Sequence, residues 1–249
     1  MADIDITRDG KVQIVRFNRA SKKNAITRAM YAQMAAALAE AESDDDIRVT
    51  AFLGQPEVFT SGNDLSDFLT VAQGGEHGTE VQDFLKALIT SQTPLVAGVD
   101  GLAVGVGTTM LMHCDMVFAS PRAWLQTPFV DLGLVPEAGS SLLGPNIMGY
   151  QHAFALLALG ERFYAEKAKE AGLIHSIVEP ELVDQSTLGA ARLLAEKPPQ
   201  ALKTARRLLR GDTAPLMNRM MEEGVLFGEA LKSDEARSAF MAFMSKKAS

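Results

Sequence analysis

Thiol chemistry is nearly absent from this chain: Cys114 is its one cysteine, so no disulfide can form within it. It lies in an apolar run, where a free cysteine reads as a small buried hydrophobe rather than a reactive thiol. The four histidines (His77, His113, His152 and His175) are scattered, and with that cysteine they give no ligand spacing, so no metal is expected. Basic residues are also in deficit. Lys and Arg number 24 against 31 Asp and Glu, a net charge of −7, which argues against nucleic acid as a partner because such binders carry a basic footprint. Nor is there a long unbroken apolar run. The best candidate, residues 95–112, contains Asp100 and several glycines. A lipid-facing helix is costly with that aspartate, so no membrane span is expected. The N-terminal segment is polar and acidic, unlike a secretory leader. A cytoplasmic or organelle-matrix protein is the expectation.

What remains is ordinary globular composition, 47% hydrophobic over 249 residues, enough for one sizeable core with an appendage. Residues 12–17 alternate like a half-buried strand, and 49–53 read as another. Between them Met30, Met34 and Leu38 recur at the spacing of an amphipathic helix. Residues 54–78, rich in Gly, Ser, Asp and Thr, read as a long functional loop, followed by a helix over 80–89. Residues 95–99 read as a strand, 101–107 as a glycine-punctuated turn opening a short apolar helix to His113, and 115–119 as a strand. This alternation predicts an α/β protein with parallel βαβ organisation. From Ser140 onward the pattern is helical, over 151–159, 165–171, 182–195, 200–209 and one long helix over 214–244. The basic run Arg206-Arg207…Arg210 reads as an exposed helix face. Val225, Phe227, Leu231, Phe240 and Phe243 give the long helix more apolar surface than a lone appendage exposes.

Three segments carry candidate chemistry. Gly105-Val106-Gly107 follows a strand, but Met110 stands where a dinucleotide fingerprint needs its third glycine, so that reading fails. A glycine turn opening a helix remains; its free N–H groups suit a developing anion, though close backbone packing alone would explain it. Phe59-Thr60-Ser61-Gly62-Asn63-Asp64-Leu65 is a tight turn that either points an N–H outward or is a simple Asx turn. In Leu134-Val135-Pro136-Glu137, spacing alone reads Pro136 and Glu137 as a first helical turn. Ser140 and Ser141 lack the context of a nucleophile elbow.

Taken in order, Asn18-Arg19…Lys23-Asn24-Ala25, Phe59–Leu65, Gly101-Leu-Ala-Val-Gly-Val-Gly107, Cys114-Asp115 and Leu132-Gly-Leu-Val-Pro-Glu137 resemble the crotonase (enoyl-CoA hydratase/isomerase) superfamily. Gly160–Glu166 and Ala171–Ile174 extend the likeness over nearly the whole chain. The resemblance implies a (ββα)-repeat spiral core over residues 1–195 with a helical C-terminal region over 196–249. It implies two backbone N–H groups, of Asn63 and Val106, holding a thioester oxygen. The paired glutamates of the family's hydratases are replaced by Thr109 and Phe129, which disfavours water activation. Glu137 instead stands where the peroxisomal-type Δ3,Δ2-enoyl-CoA isomerase branch carries its acid/base.

The same resemblance implies an acyl-coenzyme A substrate and no separate cofactor. Lys22, Lys23, Ala25, Ser61, Gly62, Asp64, Leu65 and Gly107 would lie along the bound thioester, with Phe129, Val130 and Leu132 as an apolar wall and Pro136 beside the base. It further implies a homotrimer or dimer of trimers, whose contacts would cover the C-terminal apolar face. Other family reactions stay open: hydration, thioester hydrolysis, a dehalogenase-like displacement, or non-catalytic binding of acyl-CoA or RNA.

Overall fold

A computed structural model describes residues 2–64 and 78–248, with side chains described as far as Ala242. The chain opens with a hairpin, β1 (Ile4–Asp9) against β2 (Val12–Phe17), paired antiparallel. Helix α1 (Arg28–Ser43) follows; Thr27 caps it by accepting the Met30 N–H at 3.4 Å, and Met30, Met34 and Leu38 are all buried. The predicted helix and both predicted strands are therefore present.

Three strand–strand–helix passages come next. Strand β3 (Val49–Leu53) leads to β4 (Val58–Thr60) and, beyond the undescribed stretch, to α2 (Glu80–Thr90). Strand β5 (Leu95–Val99) leads to β6 (Leu102–Val104) and α3 (Val106–Thr109), which tightens into a 3-10 turn over Met110–His113. Strand β7 (Met116–Ala119) leads to β8 (Trp124–Gln126) and α4 (Ser140–Leu157). In each passage the first strand joins one sheet and the second joins another. The larger sheet runs β1-β2-β3-β5-β7-β10, with β10 at Ser176–Ile177; the smaller runs β4-β6-β8-β9, with β9 at Phe163–Tyr164. Strands β3, β5 and β7 pair in parallel, as do β4, β6 and β8, so the chain winds as a spiral of ββα turns. The repeat was too degenerate to read as a sequence repeat because β4, β6 and β8 have only three residues each.

Strands β3 and β5 are buried along their whole length, as strands covered on both faces must be. Phe17 and Phe59 meet edge to face at 5.2 Å between the two sheets, and Phe52 of β3 meets Phe84 of α2 edge to face at 6.3 Å. Helix α5 (Ala165–Glu170) and helix α6 (Val183–Ala195) follow, with Ala191 and Ala195 packed against Val12, Val49, Ala51 and Val96.

Three sequence readings need correction. The run at α7 (Pro199–Arg210) is not a wholly exposed basic face: Arg206 is 6% exposed, and its Nε donates to both oxygens of Asp115, at 2.9 and 2.7 Å. Helical periodicity places residue 206 inward, and the acid it meets lies 91 positions away. The long final helix is two, α8 (Ala214–Leu231) and α9 (Asp234–Ala248), because Ser233 ends one and caps the next by accepting the Ala236 N–H at 3.0 Å. Its apolar face is covered within the chain only in part: Leu231 and Phe240 are buried and Phe227 packs on the core, while Met221, Val225, Leu226 and Met241 stay exposed. The side chain of Phe243 lies outside the described residues. Among the described residues, no helix is long and apolar enough to cross a membrane.

Candidate active site

The spiral brings together three segments that follow parallel strands of the smaller sheet. Ser61-Gly62-Asn63 leaves β4, Gly105-Val106 leaves β6, and the stretch from Thr127 to Glu137 leaves β8. Neighbouring strands in register deliver neighbouring turns. Contact between the first two needs glycine. Gly62 has φ +85°, and a Cβ there would stand 2.7 Å from the Val104 carbonyl oxygen; one on Gly107 would meet the Thr60 methyl at 2.5 Å. Side chains at either position would force the turns apart.

The first turn is held from behind by the segment Arg19–Ala25. Asn24 is fully buried with φ +52°; its Oδ1 accepts the Arg19 N–H at 2.8 Å and its Nδ2 donates to the Phe59 and Val58 carbonyls at 2.9 and 3.2 Å. Thr60 Oγ1 donates to the Asn24 carbonyl at 2.6 Å and accepts the Gly62 N–H at 3.0 Å. Replacing Asn24 with Ala strands these partners and puts a less tolerant residue at positive φ. The expected loss of stability is roughly 2–4 kcal/mol, read by urea unfolding.

Ile26 bridges Asn63: the Ile26 N–H donates to Gly62 O at 2.8 Å and the Asp64 N–H to Ile26 O at 2.9 Å. The intervening Asn63 N–H donates to no acceptor among the described residues. The Asn63 side chain accepts a short hydrogen bond from the hydroxyl of Tyr31, a buried residue of α1 that sequence reading did not single out. Val106 is the first residue of α3, preceded by Gly105 at φ +57°, and its N–H is likewise unpaired among the described residues. Two free backbone donors thus stand at adjacent strand ends.

Glu137 is 8% exposed, and its Oε1 accepts the Thr109 hydroxyl at 2.5 Å. It is not in a first helical turn. Residues 134–137 are irregular, Ala138 and Gly139 take φ of +62° and +70°, and α4 begins only at Ser140. That left-handed pair turns the chain between the acid and the helix. Two buried side chains hold it. His113 Nε2 donates to the Ala138 carbonyl at 2.8 Å, and burial lowers this imidazole to about 4, so it is neutral. Glu223, from α8 and 4% exposed, accepts the Gly139 N–H at 2.5 Å, the Ser141 N–H at 2.9 Å and the Ser141 hydroxyl at 2.6 Å. Those are the orphan donors of the α4 N-terminus, satisfied by a carboxylate 82 residues further on. Burial raises Glu137 to about 7; the Thr109 hydroxyl opposes the rise and the charge of Glu223 adds to it.

The remaining sequence candidates fall in different places. Gly107 is buried beside Val106, and Phe129 is 5% exposed. Leu132 packs partly buried on the core, but Val130 is 53% exposed and forms no enclosed wall within one chain. Its position in a 3-10 turn (Val130–Leu132) turns it outward. Pro136 borders a cavity of about 240 Å3 with Val135, Ser141, Arg219, Glu222, Glu223 and Leu226. The Ser61 N–H donates to the Lys23 carbonyl at 2.9 Å, and the Ala25 carbonyl accepts from Arg19 at 2.9 Å. Lys22 and Lys23 are exposed beside these contacts. Asp64 pairs with Arg19 at 2.7 Å, so its carboxylate braces the turn. Leu65 and His77 lie outside the described residues.

The chain resembles known proteins in sequence and in fold. The chain is 34% identical over 248 residues to rat (Rattus norvegicus) enoyl-CoA delta isomerase 2, covering 97% of this chain and 63% of that protein's length. It is 26% identical to the 2,3-dehydroadipyl-CoA hydratase of Escherichia coli, covering 99% and 97% of the two chains. Among solved structures, an enoyl-CoA hydratase/isomerase from Pseudoalteromonas atlantica superposes with a TM-score of 0.93 at 38% identity, covering 98% of each chain. The enoyl-CoA hydratase/isomerase family model matches residues 7–249. With the ββα spiral and the order of its turns, that match means the chain belongs to the enoyl-CoA hydratase/isomerase family and has the crotonase fold.

Proposed function

We propose that this protein is a Δ3,Δ2-enoyl-CoA isomerase in which Glu137 is the single acid/base. A 3-enoyl-CoA carbonyl oxygen accepts from the N–H groups of Asn63 and Val106. Glu137 takes a proton from C2: the C2–H bond breaks, and its electrons pass into a dienolate whose charge rests on the held oxygen. The same carboxyl then delivers the proton to C4, leaving the double bond in conjugation with the thioester. No water is consumed and no net proton is taken up.

The observation that carries this reading is a single working carboxyl among the described residues. Hydration calls for two, one to activate water and one to protonate carbon. Thr109 and Phe129 supply neither, and Glu223, the nearby second acid, is tied up on the α4 N-terminus. The likeness to a delta isomerase supports the same choice. Lys22, Lys23 and the 61–65 turn border the coenzyme A in this reading, which asks for no separate cofactor. Exposed Tyr150, Phe154 and Tyr164 support a homotrimer or dimer of trimers, and a cytoplasmic or matrix location fits a freely diffusing thioester.

The test follows conjugated-enoyl absorbance with 3-enoyl-CoA and, separately, water addition to 2-enoyl-CoA. Isomerisation without appreciable hydration or release of free thiol is the expected result. Faster hydration, or stoichiometric thiol release, would replace the reading. A pH profile should show kcat falling about tenfold per unit below a midpoint near 7, because the base must be ionised and burial holds it protonated to about 7.

A further inference from the structure

We propose that Thr109 is a positioning residue for Glu137: its hydroxyl occupies one carboxyl oxygen and so assigns proton transfer to the other. The role in a proton shuttle rests on the isomerase reading; the positioning itself does not.

Thr109 is fully buried, and its hydroxyl donates to Glu137 Oε1 at 2.5 Å, within the range of a charge-assisted O–H···O⁻ bond. Its other acceptor in reach, the Val106 carbonyl, is a weaker 3.4 Å away. Threonine in a helix has two χ1 wells open to it, and the one taken here puts the hydroxyl between Glu137 Oε1 and the Val106 carbonyl three residues back. The same four-residue helix begins with Val106, one of the two free backbone donors. A single rigid element therefore fixes both the donor and the base.

The consequence concerns the two oxygens. An oxygen that already accepts a strong hydrogen bond is the less basic of the pair, so Oε1 is held and Oε2 is the proton carrier. Oε2 accepts no hydrogen bond among the described residues. Protonating Oε2 leaves the Thr109 bond in place, so both protonation states fit one geometry and no side chain must turn between the two proton transfers. The other charged or titratable groups around the acid are accounted for among the described residues. Glu223 is bound to Gly139 and Ser141, Arg219 to Ser141 and Glu222, and His113, neutral, to Ala138.

The test compares wild type, Thr109→Val and Thr109→Ser in the full chain. Infrared titration of the ligand-free proteins, with the Glu137→Gln spectrum subtracted, reads the carboxyl directly. Thr109→Val should raise its pKa by about one unit and Thr109→Ser should restore it. With 3-enoyl-CoA, Thr109→Val should lower kcat about 10–100-fold with KM within about twofold, and Thr109→Ser should recover most of the loss. A Thr109→Val protein with an unmoved carboxyl titration overturns the positioning role, as does one in which Ser fails to restore it. If wild type turns over no 3-enoyl-CoA, the isomerase reading fails while the infrared result still decides the role of Thr109.

Discussion

Glu137→Gln should abolish most turnover and at the same time make the protein more stable at alkaline pH. The first effect follows from removing the group proposed to move the proton, and general acid–base catalysis of this kind is worth on the order of 10²–10⁴-fold. Thioester binding should be nearly intact, because the amide keeps the carboxyl's shape and can still accept the Thr109 hydroxyl. The second effect is a linkage argument. Glu137 titrates at about 7 in the folded chain against 4.5 for the free group. Between those values the native state holds a proton that the unfolded state has lost, so stability falls as pH rises through the window and stays reduced above it. The gap corresponds to roughly 3 kcal/mol. Urea unfolding of wild type and Glu137→Gln at pH 5 and pH 8 checks this: the variant should gain on wild type at pH 8 and much less at pH 5. Equal stability at both would mean the acid is not held against its charge.

The second large effect is at Gly62. Gly62→Ala combines a φ of +85° with a Cβ that would stand 2.7 Å from a backbone oxygen, so the turn must move. Moving it displaces the Asn63 N–H from its neighbour at Val106. Loss of one such donor lowers rate by about 10²–10³-fold, and the backbone strain adds roughly 1–3 kcal/mol of instability. Gly10→Ala separates the two contributions. It has φ +57° and open space around it, far from the site in the β1–β2 hairpin, so it should lose stability but keep kcat/KM. A Gly62→Ala enzyme within about threefold of wild type would exclude a role for this turn.

These effects show which parts of the molecule its sequence reveals. Strands β2, β3 and β5 were readable because five or six residues suffice to display alternation or a buried run. Strands β9 and β10, at two residues each, carry no period, and their pairing is set by the spiral rather than by their own side chains. The sequence suggests a helix start at Pro136 because proline and an acid are common in a first turn, whereas the left-handed Ala138-Gly139 pair delays it to Ser140. The break at Ser233 leaves no mark in the sequence pattern because apolar residues continue on both sides of it.

The site divides in the same way. Asn63, Val106 and Glu137 could be chosen because they sit in ordered motifs, and the glycines around them have local geometric reasons. Their supports could not. Thr109 meets Glu137 from 28 residues away, Tyr31 meets Asn63 from 32, and Glu223 reaches Ser141 from 82. Such pairings exist only once the ββα turns stack. Arg19 and Asp64 illustrate the converse: two residues of recognisable motifs pair with each other at 2.7 Å, one of them having been assigned to the ligand.

A crystal structure of Glu137→Gln with bound 3-enoyl-CoA tests the central claim most directly. The carbonyl oxygen should lie about 2.7–3.1 Å from the N atoms of both Asn63 and Val106, with the residue 137 amide facing C2 and C4 of the acyl chain. An amide directed away from those carbons, or a carbonyl bound apart from the two N–H groups, would contradict it.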